Sequence, residues 1–167
     1  MTLPVGASLT ESYSATELGY GTSFTVGQRV KTYDGKEYVF VQANGAITGD
    51  GYVVSIDEDY QATMTDTDTA ATVAEGLSVG VAECAFDDDD YGWVQIYGAC
   101  GIRSEQDALA NSKIGPTADA GQVDDAGATG SKYFQGLHFG TATGAADAVN
   151  TTGFLNYPVI QLVGTYA

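Results

Sequence analysis

Four consecutive aspartates, Asp87-Asp88-Asp89-Asp90, are the densest group of ligand atoms in the chain. Hard cations such as calcium take six to eight oxygens, and four carboxylates supply some of them. Consecutive residues do not all point at one ion, however, and the alternating Asp-x-Asp-x-Asp-Gly order of calcium loops is absent. The spacing favours a solvated, charge-dense turn, and no metal or other cofactor is expected. The single histidine, His138, lies between Leu137 and Phe139 in an apparent strand. Nucleophilic catalysis needs a nucleophile beside a base that a third group orients. No local motif supplies that set, and Gly-x-Ser-x-Gly is absent. Acid pairs for glycoside hydrolysis are available among 22 Asp and Glu residues, but abundance selects none of them. No catalytic residue is assigned, and the chain is read as non-enzymatic.

The most structured chemistry is a basic and aromatic hairpin. Asp34-Gly35 suits a two-residue type I′ turn, which pairs Tyr33 with Lys36, Lys31 with Tyr38, Arg29 with Phe40 and, on the other face, Val30 with Val39. Arg29, Tyr33, Tyr38 and Phe40 then form a docking face for an acidic or sugar-like partner. The competing reading is local cross-strand and cation–π pairing. Trp93, between Gly92 and Val94, reads as core.

Positioning these groups requires strands. Gly is 22 of 167 residues, and Lys and Glu, the usual residues of exposed helix faces, are scarce. Turn signals recur at Asn44-Gly45, Gly49-Asp50-Gly51, Gly115-Pro116 and Ala120-Gly121. Strands are expected at Tyr52–Ile56, Leu77–Phe86, Tyr91–Tyr97, Tyr133–Phe139 and Phe154–Val163, with short ones between 104 and 132 and a loop over 140–153. A helix of one or two turns is expected only at 67–75. The expectation is an all-β protein, a compact β-barrel or sandwich of about eight short strands. If the four aspartates are a hairpin loop, Phe86 faces Tyr91, Cys84 faces Trp93 and Cys100 lies opposite residue 77. A disulfide needs Cα atoms within about 7 Å, so two free thiols are expected, which fits a reducing place of synthesis.

Residues 1–22 have the composition of a tail, with Leu3, Val5, Leu9 and Tyr13 scattered among Ser, Thr and Gly. They read as an extended N-terminal arm on a single β domain of residues 23–167. The arm docks either on its own domain or on a partner, where those four side chains would be the contacts. The start MTLPVGASLT shows no signal peptide, so the glycosylation sequon Asn150-Thr151-Thr152 reads as a chance match. Six Lys and Arg against 22 acids give a formal charge of −16. That balance disfavours nucleic acid and anionic membranes.

The segment Val79-Gly80-Val81-Ala82, continued through an acidic turn into Tyr91-Gly92-Trp93-Val94-Gln95-Ile96-Tyr97-Gly98, resembles the head-decoration (capsid cement) proteins of tailed bacteriophages. Pro116-Thr117-Ala118-Asp119-Ala120-Gly121-Gln122-Val123 and the closing Tyr157-Pro158-Val159 extend the likeness over roughly residues 77–163, with the four-aspartate turn as a departure. The resemblance implies a structural protein of the virion, made in the host cytoplasm and bound to the outside of the head. Its partner would be the major capsid protein, which it would clamp as a homotrimer. The alternative is a β-sandwich carbohydrate-binding or adhesin module using the hairpin face.

Overall fold

The computed structural model describes residues 7–18, 24–67, 75–125, 132–143 and 149–162. The protein is all-β. Among the described residues ten strands follow one helical turn, α1 (Ala15–Leu18): β1 (Arg29–Lys31), β2 (Glu37–Ala43), β3 (Val53–Ile56), β4 (Gln61–Met64), β5 (Ser78–Ala82), β6 (Tyr91–Ser104), β7 (Ile114–Pro116), β8 (Val123–Asp125), β9 (Lys132–Phe139) and β10 (Val149–Leu162).

Strand pairing closes a ring. β2 pairs with β4 in parallel, and β4–β3, β3–β5, β5–β6 and β6–β2 follow antiparallel. This five-stranded barrel is filled by alternate side chains, as the two-residue period of a strand requires. Val39 and Val41 of β2 point inward with Val54, Ile56, Val94 and Ile96. Tyr38 and Phe40, one step out of phase, point outward with Trp93.

The strand β6 outgrows the barrel. Its first half pairs with β2 and its second half with β10, from Asn156↔Tyr97 to Val149↔Ser104. Gly98, at φ +101°, marks the change of partner, and the Gln95 amide nitrogen donates to the carbonyls of Tyr97 and Ala99 around it. β9 and the small β7–β8 pair complete a second layer. The faces of β3 and β5 turned away from the barrel, Val53, Val79 and Val81, are buried there with Phe134, Leu137 and Ile160.

Several expectations are corrected. The first hairpin is slipped by one residue: Arg29 pairs with Val39, Val30 with Tyr38 and Lys31 with Glu37. A type I′ turn needs positive φ at two residues, and here Gly35 alone supplies it, at +86°. The loop therefore takes three residues, with Thr32 N–H donating to the Lys36 carbonyl. A slip of one reverses every side chain, which sends Tyr38 and Phe40 into the core. The second hairpin is slipped likewise, with Ala82 opposite Val94. Phe86 bridges Ile47 instead of Tyr91, and Cys100 pairs with Gly153 instead of residue 77. The loop expected over 140–153 gives way to β10 from Val149 onward. Pro158 sits at a bulge inside β10, where a missing N–H is tolerated.

The helix expected at 67–75 falls almost wholly outside the described residues. The helical turn that is described, α1, begins with a capping box: Ser14 N–H donates to Glu17 Oε2 and Glu17 N–H to Ser14 Oγ. Residues 7–18 lie on their own domain. Tyr13 exchanges backbone hydrogen bonds with Tyr91, and Ala7, Leu9, Tyr13 and Leu18 cover the cluster of Tyr38, Phe40 and Trp93. No helix among the described residues is long and apolar enough to cross a membrane.

Candidate functional site

A turn, a bulge and a strand meet at one open end of the barrel. The β3–β4 turn is tied by Asp57, whose Oδ1 accepts from the N–H groups of Asp59 (3.0 Å) and Gln61 (2.8 Å). These bonds carry Tyr60 into the left-handed region at φ +62°, a conformation unusual for an aromatic residue. Its ring lies over Gly27, where a Cβ would stand 2.5 Å from the ring. The second element is the β10 bulge. Pairing with β9 steps from Leu155↔Leu137 to Val159↔Gln135, and Tyr157 between them stands at φ +47°. The third element is β1, which brings Arg29.

Tyr157 is fixed on two sides. Its ring stacks on Tyr97 at 5.0 Å between centroids, and its hydroxyl donates to Glu37 Oε2 at 2.8 Å. Glu37 Oε1 accepts from Lys31 Nζ at 2.8 Å. The Lys31 ammonium, then the Tyr157 hydroxyl, hold the Glu37 carboxyl below its usual range, while the bond to Glu37 holds the Tyr157 phenol above its own. Tyr97 also meets Phe154 edge-on at 5.6 Å, and Phe154 meets His138 at 5.8 Å. Between Tyr157 and Tyr60 opens a cavity of about 140 Å³, with Val39, Ile56, Val79 and Ile96 as its floor and Arg29, Asp57 and Ser78 at its rim.

The residues singled out by sequence do not gather here, with the exception of Arg29. The four aspartates diverge: Asp88 accepts from Gly45 N–H, Asp89 from the Gln42 amide and Asp90 from the Ser12 hydroxyl. They tie the β5–β6 loop to its neighbours, and among the described residues no group of His, Cys, Asp and Glu is arranged to hold a metal ion. His138 is exposed on β9. Of the proposed docking face, Tyr38 and Phe40 are buried and Tyr33 stands at the hairpin tip, 97% exposed. The face is thus dispersed by the one-residue slip. Leu9 and Tyr13 are engaged on their own barrel, and Leu3 and Val5 lie outside the described residues. Trp93 is core. Both cysteines are free. Burial, reinforced by Glu83, pushes the Cys100 thiol up to about 12 and the Cys84 thiol up to about 11. Both thiols are therefore the unreactive, protonated form at neutral pH.

Asp57, Tyr60, Ser78 and Tyr157 were not singled out by sequence. The Asp57–Gln61 side-chain-to-backbone turn is a pattern that Asp makes readily. Nothing in Asn156-Tyr157-Pro158 marks a left-handed tyrosine.

Glu83, beside the barrel's second hairpin, gives a pH prediction. Burial raises its carboxyl above the ordinary 4.5, with Lys36 opposing and Asp50 adding to the rise. A raised folded-state pKa means that stability present at low pH is lost as pH climbs from the ordinary carboxylate range through the folded value. Glu83→Gln is expected to stabilise the protein at neutral pH and to have little effect well below pH 4.5. Urea unfolding at the two pH values checks this. Equal stability of both proteins at neutral pH would contradict it.

Comparison with family models, with curated proteins and with solved structures finds no match to this chain.

Proposed function

We propose that the protein is a non-enzymatic capsid decoration protein, bound to the outer surface of a tailed-phage head through the major capsid protein. The observation that carries this reading is the place of the segment resembling that family. Val81 and Ala82 pair with Gln95 and Val94 across the barrel wall, and Tyr91 at the head of the same strand receives Tyr13 of the arm. The resembling segment is therefore also the seat of the N-terminal arm. With Leu9 and Tyr13 holding the arm at home, Leu3 and Val5 are the arm residues left to contact the capsid. An extended segment adds to a partner's sheet edge through main-chain hydrogen bonds, with alternate side chains filling pockets. A partner that binds only the assembled lattice stabilises it by mass action.

The charge of −16 keeps particles apart but opposes close packing of copies as a trimer, and salt screens that repulsion. Occupancy on expanded capsid shells is expected to rise from low to moderate ionic strength, and deletion of residues 1–6 is expected to reduce it without unfolding the barrel. Co-sedimentation with shells, beside light scattering of the free protein, tests this. A protein that ignores shells at every salt concentration would overturn the reading. Occupancy that falls steadily with salt would replace the charge argument with attraction to a basic surface.

A further inference from the structure

The cavity at the barrel mouth is unused by the decoration reading. Its lining includes Tyr60 and Tyr157, both on left-handed backbone. Such conformations persist only where the surrounding structure holds them, and they cluster at ligand sites. The floor of Val39, Ile56, Val79 and Ile96 is apolar, while the rim carries a guanidinium, a carboxylate and hydroxyls.

The rim keeps free bonding capacity, although Arg29 acts on Glu37 from beyond bonding distance. Among the described residues Arg29 makes no ion pair, and neither the Ser78 nor the Tyr60 hydroxyl makes a hydrogen bond. Asp57 is immobilised through Oδ1, which leaves Oδ2 to accept from a ligand. Tyr157 is locked by Tyr97 and Glu37 and is 45% exposed.

Charge and size define the occupant. An anion would meet Asp57 and a chain of charge −16, and a cation would meet Arg29. A neutral ligand with one apolar face and several hydroxyls satisfies every group. An engineered apolar cavity of about 150 Å³ holds a benzene ring, so about 140 Å³ accommodates one six-membered ring, and the open space of about 250 Å³ that shares Arg29, Asp57, Tyr60 and Ser78 receives its substituents. The geometry points to a binding site for a single neutral pyranose ring, one C–H face against Tyr157 and its hydroxyls on Arg29, Asp57 and Ser78. The site stands independently of capsid binding, and it differs from the hairpin face, of which it keeps only Arg29.

The test is a titration of the full chain with the methyl glycosides of glucose, galactose and mannose, with sodium benzoate and methylammonium as charged controls. Amide chemical shifts report where each binds. At least one glycoside is expected to shift the signals of Arg29, Tyr60 and Ser78. Arg29→Ala and Tyr157→Gly are each expected to weaken that glycoside by about tenfold. Arg29 is exposed, and glycine suits the positive φ of Tyr157, so both variants are expected to fold. The proposal is overturned if no glycoside shifts these signals up to its solubility limit. It is equally overturned if benzoate or methylammonium shifts them more strongly, or if folded Arg29→Ala binds as well as wild type. Shell binding by Arg29→Ala, measured separately, keeps this result distinct from the fate of the decoration reading.

Discussion

Trp93→Ala costs the domain about 3–5 kcal/mol, the range for deleting a large aromatic from a core. Trp93 is fully buried on the outer wall of the barrel, 5.0 Å from the ring of Phe40 and 5.3 Å from that of Phe24. Leu9, Tyr13 and Leu18 of the arm close over the same cluster. The substitution removes the centre of the contact between barrel and arm, so the arm loses its seat as the barrel loses packing. Urea unfolding followed by circular dichroism is the measurement, because the variant has no tryptophan to report by fluorescence. Trp93→Phe provides the contrast. Among the described residues the buried Trp93 Nε1 has no hydrogen-bond partner, and a buried unpaired donor costs about 1–3 kcal/mol. Phenylalanine removes that cost while keeping most of the apolar contact, and its penalty is expected to be much smaller. A cost below about 1 kcal/mol for alanine, the average for any substitution, would show that this cluster does not hold the fold.

Gly136→Ala is expected to cost about 2–5 kcal/mol, from two separate causes. Gly136 has φ +92°, where a Cβ costs about 1–2 kcal/mol. A Cβ there also stands 2.7 Å from the Asn156 carbonyl oxygen and 3.3 Å from Pro158 Cα, both backbone atoms that cannot turn aside. Such crowding adds about 1–3 kcal/mol. Gly140→Ala on the same segment is the control, since its nearest neighbour would be 3.8 Å away. Unfolding free energies of the two variants check the difference, and similar values would remove both arguments. Because Gly136 faces the bulge that carries Tyr157, its substitution is also expected to disturb the cavity wall.

The parts of this fold that sequence discloses are those decided by local period and turn chemistry. β3 and β9 announce themselves by β-branched and aromatic runs bounded by glycine, and the all-β class follows from glycine excess and scarce helix formers. What sequence does not disclose is set by single backbone conformations. Asp34-Gly35 permits two turn types, and the choice between one and two positive φ values decides which face Tyr38 and Phe40 occupy. The alternation of β9 breaks at Gly136, opposite the β10 bulge, so Phe134 and Leu137, three apart, both face the core. The capping box at Ser14 and Glu17 was readable, but it lies in a stretch whose small polar residues resemble a tail. The cavity was out of reach, because Arg29, Asp57, Ser78 and Tyr157 come from four distant segments that only the pairing of β1 with β2, β3 with β5 and β5 with β10 brings together.

The sharing of β6 between two partners also sets an order of events during synthesis. All the strands of the closed ring, and the half of β6 that belongs to it, precede Gly98, whereas β10 is complete only at Leu162. Ribosomes add about 5–20 residues each second, so the ring can form several seconds before its second layer exists. For that interval the backbone of the far half of β6 has no β10 to pair with, and Val53, Val79 and Val81 have nothing to cover them. An exposed strand edge beside apolar side chains is the template on which nascent chains aggregate. Mutual repulsion among neighbouring chains this acidic protects the half-built barrel until its last long strand leaves the ribosome.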